Sequence, residues 1–133
     1  MKRYILSGIL CLAVSLMITI GSVGFLGPCV HENGSFGTCH WAGQAVFGIG
    51  ILLSALSLLV VFVNEEEMRF GILLSMLPIT VLGFVTPGIL IDLCGMASMR
   101  CRSVMQPAMR LLFVLLAVII CVAFFAGKNN NKK

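Results

Sequence analysis

Residues 42–63 read AGQAVFGIGILLSALSLLVVFV and contain no Asp, Glu, Lys or Arg. The run is long enough to cross a bilayer, because an α-helix needs about 20 apolar residues to span a hydrocarbon core about 30 Å thick. Lipid offers no hydrogen-bond partner to backbone N–H and C=O groups, so a spanning segment of this kind must be helical. The run therefore predicts a transmembrane helix.

Three other runs have the same character, and they are Tyr4–Leu26, Phe70–Ile91 and Ala108–Ala126. Of the 133 residues, 59% are hydrophobic and 11% are charged, whereas about a quarter of a soluble domain is charged. We therefore expect an all-α integral membrane protein. Residues 1–133 should form a single four-helix transmembrane bundle with a disordered polar tail at 127–133.

The basic residues stand at the ends of these runs, a distribution that sets orientation in a membrane and does not indicate nucleic-acid binding. With the N-terminus in the cytoplasm, the inner face holds Lys2, Arg3, Arg69, Lys128, Lys132 and Lys133. The outer face then holds Arg100, Arg102 and Arg110. Because Lys and Arg favour the cytoplasmic side, we predict that both termini are cytoplasmic.

Two connections between the runs then face the outside, and each carries a pair of cysteines. The first holds Cys29 and Cys39, and the second holds Cys94 and Cys101. Cysteines on an oxidising face favour structural disulfides, and four cysteines allow three pairings. In a regular helix the Cα atoms of Cys94 and Cys101 would be ~10.5 Å apart, beyond the ~7 Å that a disulfide tolerates. They bridge each other only across a turn, and otherwise they pair with the cysteines of the first connection.

A redox role is the first alternative to structural bridges. Four helices with a cysteine pair in each of two outer connections resemble, in architecture alone, the disulfide-generating quinone oxidoreductases of bacterial membranes. Arg100 and Arg102 flank Cys101 and would favour its reactive thiolate. The redox candidates are therefore Cys94 and Cys101 with these two arginines, and a quinone is the implied cofactor. The chain contains no C-x-x-C motif.

Metal or haem binding is the second alternative. His31, His40, Met96 and Met99 join the cysteines in the two connections, and such soft and imidazole ligands suit copper as Cu(I). On a helix the two methionines would point away from the face that the cysteines of the second connection share, so a joint site needs non-helical backbone. Methionine is also ordinary packing material in an apolar chain, and both histidines also fit as polar residues at a membrane surface.

The first run carries small residues at every fourth position, namely Ser7, Cys11, Ser15 and Thr19. Such a face lets another helix approach closely. It serves either packing inside the bundle or contact with a partner subunit, and packing inside the bundle is the simpler interpretation. No ionisable residue lies deep in any of the four runs, which argues against a proton relay or an ion path through this bundle alone.

The connections also contain segments specific enough to compare with known proteins: Cys29, Cys39-His40-Trp41, the C-G-M-x-x-M-x-C pattern at Cys94–Cys101, and Pro107. With these segments the chain resembles a family of small bacterial four-helix membrane proteins defined by a domain of unknown function. The resemblance covers nearly the whole chain and implies cysteine-bearing outer loops and a place in the bacterial inner membrane. Members often occur with ABC exporters of the macrolide-exporter type, which implies an accessory subunit in contact with a transporter permease.

The expected function is therefore that of an accessory or structural subunit within the lipid bilayer, with no firmly assigned catalytic residue or cofactor. A membrane thiol oxidoreductase and a soft-metal or haem protein are the alternatives.

The predicted topology is testable by labelling. In reduced intact cells, a membrane-impermeant thiol reagent is expected to modify Cys29, Cys39, Cys94 and Cys101, because all of them lie outside. Mass spectrometry of the labelled peptides measures this. If none of these cysteines reacts, the orientation is reversed.

Overall fold

The computed structural model describes residues 2–24, 38–86, 89, 106–130 and 132. Within these ranges the secondary structure consists of helices and contains no strand. The helices are α1 (Lys2–Val23), α2 (Thr38–Phe62), α3 (Glu66–Val85) and α4 (Gln106–Asn130). Each is long and apolar enough to cross a membrane. The prediction of an all-α protein with four spanning helices is confirmed.

The helix ends differ by one to six residues from those expected from the sequence, most at α3, which ends at Val85 where Ile91 was expected. Helix α2 begins at Thr38, which places the backbone of Cys39 and His40 in its first turn. Helix α3 begins at Glu66, and two acidic residues in its first turn interact favourably with the positive end of the helix dipole. Helix α4 continues to Asn130, so residues 127–130 are helical where a disordered tail was expected. Tertiary packing of the Phe70 and Tyr4 rings against Gly127 accounts for this longer helix.

The helices form a ring in which each contacts the next along the chain and α4 closes on α1. Pairs across the α1–α2 contact are Gly8 with Val61, Ser15 with Ser54, and Thr19 with Gly50. Residue numbers rise along α1 as they fall along α2, so these two helices are antiparallel. The short connection from Phe62 to Glu66 makes α2 and α3 antiparallel as well.

The buried residues recur at alternating intervals of three and four in every helix. They include Gly8, Cys11, Ser15, Ile18 and Ser22 of α1, and Gly43, Val46, Gly50, Leu53, Ser57 and Val60 of α2. In α3 and α4 they are Arg69, Leu73, Met76, Thr80 and Gly83, and Met109, Phe113, Leu116, Ile120, Ala123 and Gly127. A mean repeat of about 3.5 residues is typical of helices that wrap around each other with a left-handed twist.

Most of the apolar surface faces outward. Only 33% of the apolar window of α1, and 28% of that of each other helix, is buried inside the bundle. Large exposed side chains such as Ile20, Phe62, Leu111 and Val122 cover the outside. A soluble protein does not expose apolar surface on this scale, so the bundle belongs in a bilayer.

The close α1–α2 contact predicts that Gly50 cannot be replaced by a larger residue without loss of stability. A Cβ added to Gly50 would overlap the Thr19 hydroxyl and lie 3.2 Å from the Thr19 Cα, whereas a Cβ added to Gly48 would meet nothing within 4 Å. We expect Gly50→Ala to lower the free energy of unfolding by about 1–3 kcal/mol through overpacking. Denaturant titration in detergent micelles measures this loss.

The matched control is Gly48→Ala on the same helix. It should be neutral or stabilising by up to about 1 kcal/mol, because alanine is the better helix former. Equal effects at Gly48 and Gly50 would contradict the close α1–α2 contact.

Candidate functional site

The middle of the bundle holds hydroxyls that are already satisfied. Each buried Ser or Thr donates to a backbone carbonyl in its own helix at 2.7–2.9 Å: Ser15 to Leu12, Ser22 to Thr19, Ser57 to Leu53, Thr80 to Met76, and Thr86 to Leu82. Such local bonds hide the hydroxyl from its surroundings. Among the described residues there is also no cluster of His, Cys, Asp or Glu suited to a metal ion. These buried hydroxyls therefore have little remaining capacity to bind a ligand.

The small-residue face of α1 packs against α2. Cys11 is 1% exposed and Ser15 is fully buried, and the Ser15 and Ser54 hydroxyl oxygens are 3.3 Å apart. Thr19 lies against Gly50, and the Ser7 hydroxyl donates to the Tyr4 carbonyl at 2.8 Å. A partner subunit therefore cannot reach the middle of this face without displacing α2. The middle of this face therefore packs inside the chain, the simpler of the two interpretations, and contact between the rest of the face and a partner subunit stays a prediction.

Both cysteines inside the helices are free thiols. Cys11 is buried in the core and Cys121 is half-buried. Cys11 lies among apolar side chains of neighbouring helices, which fits its interpretation as small packing material.

The two cysteine-bearing connections leave the bundle at one end. Thr19, near the end of α1, lies against Gly50 in the middle of α2. At the corresponding ends of α3 and α4, the Arg110 guanidinium carbon lies 5.5 Å from the centroid of the Phe84 ring. Since the four helices alternate in direction, the helix ends that flank residues 25–37 and 87–105 all lie at this end of the bundle.

The residues expected to carry chemistry lie mostly within these two connections. The positions that fall outside the described residues are Cys29, His31, Cys94, Met96, Met99, Arg100, Cys101 and Arg102. The backbone of Cys39 and His40 belongs to α2, but their side chains also lie outside the described residues. The disulfide, redox and metal interpretations of these residues stay predictions.

The opposite end of the bundle holds a buried cation that sequence analysis placed among the surface residues. Arg69 is only 8% exposed. Its Nε–H donates to the Val63 carbonyl just beyond the end of α2, and its guanidinium carbon lies 5.7 Å from the centroid of the Tyr4 ring. The first contact places a positive charge at the negative end of the α2 dipole, and the second is a cation–π interaction. Arg69 thus ties the first turn of α3 to both α1 and α2.

Aromatic rings complete this end of the bundle around Gly127. A Cβ added to Gly127 would lie 2.7 Å from Phe70 Cζ and 3.3 Å from Tyr4 Cε1. The Phe70 and Phe124 rings meet edge to face with centroids 5.5 Å apart. Glycine is required because two rings from different helices pack against the α4 backbone here, and this packing holds the last turn of α4 in place.

A cleft opens beside Arg69, and all four helices contribute to its wall. It lies between Tyr4 and Ser7 of α1, Val60 of α2, Glu66 and Arg69 of α3, and Ala123 of α4. The cleft is open to the surroundings and encloses room for about one water molecule. A signal for this site exists in the sequence, since Arg69 precedes Leu73, Met76 and Thr80 at the spacing of the buried residues.

Comparison with known proteins identifies a family but no function. The sequence profile described as "Domain of unknown function (DUF4418)" matches residues 11–126. No curated protein and no solved structure matches this chain.

The burial of Cys11 leads to a reactivity prediction. In the folded protein, N-ethylmaleimide should leave Cys11 unmodified, because no reagent reaches a thiol that is 1% exposed. Half-buried Cys121 serves as the internal comparison, and unfolding in SDS should make both reactive. Peptide mass spectrometry gives the extent of modification, and rapid labelling of Cys11 in the folded state would contradict the packing of α1.

Proposed function

The chain belongs to the family defined by the domain of unknown function DUF4418, and since that family has no assigned function, we propose a role from the structure of the bundle. It is a small integral membrane protein that serves as an accessory or structural subunit of a membrane complex. The bundle acts as a frame that holds two cysteine-bearing connections together, and disulfides pin those connections. The expected partner is a transporter permease of the ABC exporter class.

The observation that carries this proposal is the contrast between the middle of the bundle and one of its ends. The middle is packed with apolar side chains, small residues and satisfied hydroxyls, and the described residues contain no cluster suited to a metal ion. Both cysteine-bearing connections are anchored at the same end. Frames that fix surface loops in this way suit a binding or structural role better than catalysis within the membrane.

The proposed orientation in the membrane rests on the basic residues at the other end of the bundle. Lys2, Arg3 and Lys128 lie at the exposed tips of α1 and α4 there, together with Arg69. This distribution supports cytoplasmic termini and an extracytoplasmic location for the cysteines in the bacterial inner membrane. Such a location allows disulfides to persist.

A thiol redox protein is the second candidate, favoured by the anchoring of both cysteine pairs at one end. In that case one pair would exchange with a thiol partner or a quinone, and Cys94 and Cys101 would be the reactive pair. Cys11 and Cys121 take no part in these pairs, because both are free thiols within the helices.

Mass spectrometry of protein purified without reductant separates these candidates. A structural subunit should lack four thiol hydrogens, carry no metal, and keep both bridges in mild reductant. Replacing Cys94 with Ser should then leave one partner thiol free and lower the free energy of unfolding. A pair that is reduced easily, or a bound copper or haem, would contradict the structural role.

The subunit role itself is testable by photo-crosslinking in native membranes. A photoreactive residue is placed in turn at Ile20, Phe62, Val81 or Val122, which are exposed on the four different helices. A subunit should form a protein adduct from one side of the bundle, because a partner covers a single face. Buried Leu53 is the control position and should give no adduct to another protein. If all four exposed positions give only lipid adducts, the protein is not a subunit of a complex.

A further inference from the structure

The cleft beside Arg69 presents a positive and a negative group that do not neutralise each other. Arg69 and Glu66 both line it, and no ion pair joins them within the described residues. Arginine has five N–H donors. Only the Nε–H has a side-chain hydrogen bond in the described part of the chain, and its acceptor is the Val63 carbonyl. Arg69 is 8% exposed, and its outer N–H groups therefore remain available to an anion at the mouth of the cleft.

Glu66 supplies the complementary group. Its side chain is exposed at the mouth of the cleft, one turn before Arg69 on α3. Glu65 and Glu67 are also exposed but do not line the cleft. The cleft therefore suits a ligand that carries an anion and a cation a short distance apart, and a simple anion would be repelled by Glu66.

The position of the cleft identifies the source of such a ligand. It lies at the end of four membrane-spanning helices, beside the polar residues Lys2, Arg3, Asn64 and Lys128. Residues of this kind mark the level of the lipid headgroups. Tyr4, an aromatic residue of the type enriched at that level, forms part of the wall.

We propose that Arg69 and Glu66, across the open mouth of this cleft, bind the headgroup of an aminophospholipid such as phosphatidylethanolamine. Its phosphate accepts hydrogen bonds from the outer N–H groups of Arg69, in the charge-assisted geometry that guanidinium forms with phosphate. Its primary ammonium donates to the Glu66 carboxylate. A choline headgroup lacks N–H donors, and a glycerol headgroup lacks the positive charge, so neither satisfies both residues.

Native mass spectrometry tests this proposal on the full-length protein. Protein in nanodiscs with equal parts of phosphatidylethanolamine, phosphatidylcholine and phosphatidylglycerol, all with the same acyl chains, is released and its retained lipids are counted. The wild type should retain phosphatidylethanolamine about tenfold over phosphatidylcholine, the ratio expected from one charge-assisted hydrogen bond. Equal retention of the three lipids would overturn the proposal.

Variants locate the preference. Glu66→Gln should abolish it, whereas Glu67→Gln, which removes the same charge from the next residue outside the cleft, should keep it. Arg69→Gln should lose retention of all three lipids at this site, and circular dichroism establishes that the variant remains folded. Should Arg69→Gln unfold, the two glutamate variants decide the question alone. Equal losses in both glutamate variants would assign the preference to general surface charge and overturn the site.

A soluble competitor identifies the source of the headgroup. Glycerophosphoethanolamine carries the same charged groups without acyl chains. It should fail to displace the lipid at equal concentration, because a lipid is held at the membrane surface as well as by its headgroup. Full displacement would assign the cleft to a soluble phosphorylated amine and overturn the lipid assignment.

Discussion

The absence of water from the bilayer core governs this structure. Every polar group within it must find its partner inside the protein, and the chain does so at the shortest range available. Backbone groups pair within helices, and buried hydroxyls such as those of Ser57 and Thr80 donate to carbonyls of the same helix. The buried hydroxyls of the interior therefore have little capacity to bind anything else.

Lipid also removes the usual reason for helices to associate, since acyl chains are as apolar as leucine side chains. Association then depends on close packing, which small residues permit. Gly8 and Gly50 bring α1 and α2 together, and Gly83 receives the Phe113 ring between α3 and α4. Large apolar side chains such as Ile20 and Phe62 also face lipid, where a soluble bundle would present polar residues.

The two ends of the bundle have different physical properties. At one end, Tyr4 of α1 contacts both Arg69 of α3 and the α4 backbone at Gly127, and Arg69 also donates to Val63 in the α2–α3 connection. At the other end, the helices support two long connections whose sequences contain Cys29, Cys94 and Cys101. Contacts among the helices at one end and two long connections at the other suit the proposed role of a frame for surface segments.

The amino-acid sequence alone determined the number of helices, their approximate ends and their place in a membrane, because the lengths of the apolar runs and the hydrogen-bond demands of lipid allow no other answer. It also identified small residues on α1 and the cysteines of the connections. Which face of each helix is buried was decided by tertiary structure, because runs that are apolar all round carry no amphipathic signal. Tertiary contacts likewise buried Arg69 through the α2 terminus and the Tyr4 ring, and they extended α4 past Gly127 by packing two aromatic rings on its backbone.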